Sequence, residues 1–235
     1  MLLSLENVHS GYGKIRILHG VTLNVPKSKI VCIIGPNGSG KSTIFKAIFG
    51  LIVVEENGRI AFKDRDITNW KPNRIVRQGI SYVPQARSIF RNLTVDENMA
   101  MGAYVRTDPD IQGDIDKAYE RFPLLKKRRG VKASNLSGGE QRMLEMSRAL
   151  LLNPELLLLD EPSLGLEPRF ADLIFERIVA INKGGKSILI IEQNARRALK
   201  IADYAYVLDL GKVRFEGVAS DIEANKEVQR LYLGG

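Results

Sequence analysis

Three stretches of the chain hold residues whose types and spacing suit phosphate chemistry. Gly35-Pro36-Asn37-Gly38-Ser39-Gly40-Lys41-Ser42 fits the pattern G-x-x-x-x-G-K-[ST] at every fixed position. Glycines in such a turn let backbone N–H groups face a phosphate chain, and a helix starting there adds its positive end. Lys41 would neutralise the β and γ phosphates, and the Ser42 hydroxyl would ligate Mg²⁺. The alternative is a tight strand-to-helix turn without a ligand. In the second stretch, Leu156-Leu157-Leu158-Leu159 runs into Asp160-Glu161. A solvated strand end would account for these acids in isolation. Beside a phosphate loop, Asp160 could hold the hydration shell of Mg²⁺ while Glu161 orients and activates a water. The third stretch, Leu136-Ser137-Gly138-Gly139-Glu140-Gln141-Arg142, opens a helix. A serine, free amides and a helix N-terminus make a second anion site, although Ser137 and Glu140 also satisfy a capping box. The box does not call for the two glycines between them, which weaken a first turn.

The elements that must position these groups alternate along the chain. Leu3, Leu5 and Val8, then Val21, Leu23 and Val25, mark half-buried strands. Ile30–Ile34 is a short apolar run entering the glycine loop, and Ser42–Phe49 is expected to be helical. Gly58–Phe62 and Ile80–Val83 are further strands, the first leading into a polar turn at Lys63–Asp66. From about Ala86 to Leu152 helical periodicity takes over, at Ile111–Phe122 and Glu140–Leu152, with loops around Thr107–Pro109 and Lys126–Asn135. Strands return at Leu156–Leu159, Ile188–Ile191 and Tyr204–Leu208, alternating with helices near Ala171–Asn182 and Ala195–Ala202. Asp209-Leu210-Gly211-Lys212 then turns the chain into a hairpin with Val213–Gly217. The pattern predicts an α/β core with an inserted helical block.

Composition narrows the class. The chain has 235 residues, 44% apolar, 26% charged and 7% aromatic, which suits one or two globular domains. A single cysteine excludes a disulfide framework and cysteine-based zinc sites. No apolar run approaches the roughly 18 residues of a membrane span, and Glu6 and His9 follow Met1-Leu2-Leu3-Ser4 too soon for a signal peptide. The net charge of +8 allows nucleotides, nucleic acid or an anionic membrane face as partners. Aromatic and basic residues are not interleaved as in single-strand binders, so no nucleic acid is expected. Cys32 reads as a small core residue, His9 and His19 lack partners for a metal cluster, and Trp70 is expected to anchor the loop before Pro72.

Phosphate loop, Leu-Ser-Gly-Gly-Glu-Gln and Leu-Leu-Leu-Leu-Asp-Glu, in this order, resemble the ABC-type nucleotide-binding subunits over essentially the whole chain. The resemblance implies a P-loop NTPase (RecA-like) core with an N-terminal antiparallel β subdomain. Residues 1–85 and 153–235 would form these parts, and about 86–152 a helical signalling subdomain. It assigns Tyr12 to the adenine face, Ile17 to its edge, residues Gly35 to Ser42 and Thr43 to the phosphates, and Gln85 to Mg²⁺ and the transmembrane partner. It also implies a head-to-tail pair in which each ATP lies between one phosphate loop and the other subunit's Ser137, Gly138, Gly139 and Glu140. Arg87–Tyr104, including Leu93-Thr94-Val95, Glu97 and Asn98, would receive the permease, although plain helix packing also accounts for Leu93, Val95 and Met99. Lys126-Lys127-Arg128-Arg129 is either a solvated helix end or a face toward lipid or permease.

Two positions depart from the family pattern. Glu192-Gln193-Asn194 follows the strand where most members carry a switch histidine, so Gln193 can position a phosphate but cannot titrate near neutrality. Glu161 is then the expected sole general base. Ser163-Leu164-Gly165-Leu166-Glu167 ends in Glu where Asp is common; Glu167 either bridges the pair or is solvated. With the tail Val228-Gln229-Arg230-Leu231-Tyr232-Leu233-Gly234, these features resemble the LivF-type branch, in which unlike ATPase subunits serve a branched-chain amino-acid importer. That branch implies an unlike ATPase partner, two membrane permeases, a solute-binding protein upstream, and a place on the cytoplasmic face of the membrane. Urea or short-amide uptake, or a soluble non-transport ATPase, are the alternatives.

Overall fold

The computed structural model describes residues 1–55, 57–106, 108 and 110–232. Thr107 and Pro109 of the expected loop, and Leu233 and Gly234 of the tail motif, lie outside them. Two sheets organise the chain. In the first, β2 (Ile15–Val25), β1 (Leu3–Tyr12), β4 (Arg59–Phe62) and β5 (Arg65–Asp66) lie side by side, every pair antiparallel. The second has the order β10 (Lys212–Val218), β9 (Tyr204–Asp209), β3 (Ile30–Ile34), β8 (Ser187–Ile191), β7 (Leu156–Asp160), β6 (Ile80–Val83). From β9 to β6 all neighbours are parallel, and β10 closes one edge as the antiparallel arm of the expected hairpin.

Burial explains the strand sequences. Every residue of β3, β7 and β8 is buried, as interior parallel strands covered on both faces require, and they read as continuous apolar runs. Edge strand β10 alternates between exposed and half-buried instead. One apolar cluster joins one face of this sheet to the helices α3 (Val95–Gly102), α4 (Ile111–Arg121), α5 (Pro123–Lys126), α6 (Gly138–Leu150), α7 (Pro168–Lys183) and α8 (Ala195–Ile201). The other cluster packs the opposite face against the antiparallel sheet and α1 (Lys41–Ile48). Cys32 is buried in the first cluster, and desolvation pushes its thiol up to about 12, so it behaves as a small apolar residue. Trp70 packs against the second cluster with the Arg74 guanidinium 3.3 Å from its ring centre, which does anchor the turn before α2 (Pro72–Arg77).

Burial decides between the alternatives left open at the surface. Val95 and Met99 are fully buried, so helix packing accounts for them, while Phe90, Met101, Tyr104 and Val105 are the exposed apolar residues of that region. The basic run at the end of α5 is exposed at Lys126, Lys127 and Arg128, as a solvated helix end is, and Arg128 also reaches Glu140 at 3.2 Å while Arg129 reaches Asp96 at 2.9 Å. Beyond the hairpin, α9 (Ala219–Ala224) and α10 (Lys226–Tyr232) fold back on the core through Ile222 and Val228.

Candidate active site

The parallel strands bring the chemistry together at their carboxyl ends, where open α/β sheets bind ligands. Gly35 follows β3, Gln85 comes two residues after β6, Asp160 ends β7 with Glu161 next, and Gln193 follows β8 by two. A cleft of about 460 Å³ opens over them, lined by Lys41, Ser42, Gln85, Glu161 and Gln193, with Tyr12 and Ile17 at one side. Asn37, Gly38, Gly40 and Thr43 complete its loop wall, and Leu164 joins them unanticipated by the sequence.

Gly35, Pro36 and Ser39 shape the loop from behind. A Cβ on Gly35 would lie 2.0 Å from the Leu208 carbonyl oxygen, and Gly40 holds φ +102° where the helix begins. The Lys41 ammonium donates to the carbonyls of Gly35 at 2.8 Å and Pro36 at 2.9 Å, which curls the loop around it. Ser39 Oγ is buried and has no hydrogen-bond partner among the described residues. Helix α1 has no side-chain cap and no acid in its first turn, so its amides face the cleft.

The carboxylates stand side by side. Ser42 Oγ donates to Asp160 Oδ1 at 3.0 Å, and the Tyr82 hydroxyl to Oδ2 at 3.0 Å. Asp160 is thus held by two donors, yet burial outweighs them and raises its pKa. Gln85 Nε2 donates to Glu161 Oε2 at 3.0 Å, so in this arrangement the amide attends Glu161 rather than Ser42 and Asp160. Glu161 is also raised, first by burial; Lys41 opposes the shift and Asp160 adds to it. Burial in turn lowers Lys41, against the pull of both acids. Glu161 adopts φ +47°, a conformation costing a non-glycine residue about 1–3 kcal/mol. Its N–H donates to the Ile191 carbonyl at 2.8 Å, fixing the turn that aims its side chain.

Tyr82 and Glu192 were missed at the sequence level. Tyr82 became a ligand of Asp160 only because β6 lies beside β7. Glu192 is buried and accepts from the Ser163 N–H at 2.9 Å, tying the loop after Glu161 to the segment of Gln193. The run of charge directly after an apolar strand was its only signal. Tyr12 is 44% exposed at the cleft mouth, and its hydroxyl accepts from Lys46 at 3.0 Å.

Ser137, Gly138, Gly139 and Glu140 do not line this cleft. Ser137 Oγ accepts from the Glu140 N–H at 3.3 Å and Glu140 returns the bond to the Ser137 N–H at 2.8 Å, the full capping box. The structure also supplies a reason for one glycine: a Cβ on Gly139 would meet Phe170 Cδ1 at 2.4 Å. Gly138 has ordinary room, 3.4 Å to the nearest atom, so packing does not explain it.

An asymmetric site with a loop of amides, one lysine, a hydroxyl beside an aspartate and a raised glutamate can bind a polyphosphate and activate water against it. Among the described residues no cluster of three or more His, Cys, Asp or Glu could hold a metal. A hard cation here would therefore draw on the oxygens of Ser42 and Asp160 together with those of the phosphate itself, a donor set suited to Mg²⁺.

Comparison with known proteins agrees with this geometry. The family model described as ABC transporter matches residues 18–164. The chain is 42% identical over 234 residues to the high-affinity branched-chain amino acid transport ATP-binding protein BraG of Pseudomonas aeruginosa, covering 100% of both chains. It is 40% identical over 234 residues to the probable branched-chain amino acid transport ATP-binding protein LivF of Archaeoglobus fulgidus, covering 99% of each. A crystallised ATP-binding cassette of an ABC transporter, in its ADP conformation, matches with a TM-score of 0.89 at 30% identity, over 100% of this chain and 99% of that one.

Proposed function

The chain belongs to the ABC transporter family of ATP-binding subunits, and from that premise we propose that it hydrolyses ATP to drive import of branched-chain amino acids. The observation that carries the ATPase reading is the convergence of Lys41, Ser42, Asp160 and Glu161 on one cleft. Support for the cargo is the end-to-end identity to two branched-chain relatives.

The phosphates lie along the amides of Gly38, Gly40, Lys41, Ser42 and Thr43, and Lys41 exchanges its two loop carbonyls for phosphate oxygens. Tyr12 offers its ring, and Ile17 its methyl groups, to the adenine. Ser42 and Asp160 would hold Mg²⁺, and Gln85, now bonded to Glu161, would add its amide oxygen; the cation would orient the β and γ phosphates and offset their charge. Glu161, desolvated and raised, takes the proton of the attacking water, while Gln193 positions the γ-phosphate. Ser137, Gly138, Gly139 and Glu140 serve the ATP of a second, unlike ATPase subunit paired head to tail.

Residues 86–152 form the signalling module in this reading. Exposed Phe90, Met101, Tyr104 and Val105 face two membrane permeases, with a solute-binding protein acting upstream. No helix among the described residues is long and apolar enough to cross a membrane. In this reading the subunit attaches to the cytoplasmic face through those permeases. ATP closes the ATPase pair, closure moves the permeases, and hydrolysis reopens it. Affinity purification from native membranes in mild detergent tests the proposal. Two multi-span permeases, a second ATPase and ATP-dependent leucine uptake are expected; recovery of soluble partners alone, or uptake of urea instead, would contradict it.

A further inference from the structure

Arg142 is the largest side chain that the fold buries completely, 1% exposed, and Glu145 one turn along α6 is 3% exposed. Burying two charges costs desolvation energy that their mutual attraction alone often fails to offset, so such a pair calls for additional partners. Those partners are all in one short segment. Arg142 Nη1 donates to the Pro84 carbonyl at 2.9 Å and Nη2 to the Gln85 carbonyl at 3.1 Å, while Nη1 also sits 3.0 Å from Glu145 Oε2. Glu145 Oε1 accepts from the Ser88 N–H at 2.6 Å, and its Oε2 faces Arg87 at 3.5 Å. The pair therefore grips residues 84–85 with one member and 87–88 with the other. Gln85 is held by its own carbonyl in the first grip, and its side chain holds Glu161.

We propose that Arg142 and Glu145 are positioning residues that fasten the Ser137 helix to the backbone of Gln85, so that the placement of α6 sets how Gln85 holds Glu161. The inference rests on reading Glu161 as the base. Gly138 begins the same helix, so a second subunit's nucleotide pulling on the start of α6 would move the Gln85 carbonyl through a rigid path of two side chains. The planar guanidinium fork suits this task because its donors, spread over a rigid plane, fix two consecutive carbonyls and a carboxylate in set directions, where a lysine offers a single point charge on a flexible stem.

The test is a kinetic cycle on the transporter purified with its membrane partners. The paired Arg142→Met/Glu145→Met variant removes both charges together and leaves neither buried alone. Its kcat should fall about tenfold, with KM for ATP within about twofold of the parent, because the loss is in the transition state rather than in binding. In a Gln85→Ala background the same pair should cause no further loss, since both changes act through one path. Multiplying losses, or an unchanged kcat, would overturn the clamp. Should the paired variant denature early, Arg142→Lys replaces it: an intermediate kcat at parental KM is expected, and parental kcat would contradict the proposal. Glu161→Gln is run alongside. If it turns over normally, the base assignment fails, whereas the cycle still reports whether α6 acts through Gln85.

Discussion

Two helices in this chain start within motifs of glycine and serine, yet their first turns are built in opposite ways. Helix α1 starts from Gly40 with no side-chain cap and no acid nearby. Helix α6 starts from Ser137 with both capping-box bonds made and Glu140 in its first turn. The first leaves its amides and dipole for an outside anion, and the second satisfies two amides from within and places a carboxylate at its positive end. The same local vocabulary thus yields one open phosphate site and one closed helix start. What Ser137 and Gly138 can still give a phosphate is a hydroxyl proton and close backbone approach, which suits a ligand brought by another subunit.

Removing the charge at the open start should have the largest effect. Lys41→Ala is expected to abolish ATP hydrolysis by the assembled transporter, and ordinary turnover would break the assignment of α1 as the phosphate site. Glu161→Gln should keep ATP bound while lowering kcat by about 10²–10⁴-fold, the usual contribution of a general base. The raised pKa of Glu161 also fixes a sign: protonation on acidification begins above the usual carboxylate range, so the acid limb of the pH–rate profile should lie higher than for an exposed glutamate. Because the unfolded chain binds fewer protons there, stability from this group rises as pH falls through its folded pKa. By the same logic Glu161→Gln should not lower Tm at pH 7.

At the closed start, Gly139→Ala should destabilise the fold by about 1–3 kcal/mol through its clash with Phe170. Gly138→Ala should leave Tm nearly unchanged, so any activity it loses reports a contact with nucleotide rather than packing. Denaturant unfolding of the two variants separates these outcomes; equal losses would erase the distinction between the glycines. Ser137→Ala should cost about 1 kcal/mol of stability as a lost cap. Gln193→His should produce the smallest change, a new inflection near pH 6.5 in a profile that has none in the parent. A parental inflection at 6.5–7 that disappears in Gln193→Ala would contradict Glu161 as sole base.

The apolar runs made the central strands legible, since β3, β7 and β8 are buried on both faces and each leads within two residues to a group of the site. The open site could be read for that reason: its residues are local to strand ends. Helices α2, α5, α9 and α10 span four to seven residues, too few turns for periodicity to register. Helix α3 has a start signal legible in the sequence, the Thr94-x-x-Glu97 capping box, which the structure forms in full. Tyr82, Glu192 and Arg142 were out of reach because their partners are set by strand order and by where α6 lies, not by spacing. The packing reason for Gly139 was out of reach on the same ground, as Phe170 is distant in sequence and adjacent in space.

ATP titration of the isolated chain most directly separates the two helix starts, comparing parent, Lys41→Ala and Ser137→Ala by calorimetry. An open α1 and a closed α6 predict an ATP affinity weakened by about 2–5 kcal/mol in Lys41→Ala and unaltered in Ser137→Ala. An equal loss in both, or none in Lys41→Ala, would contradict the division of labour between them.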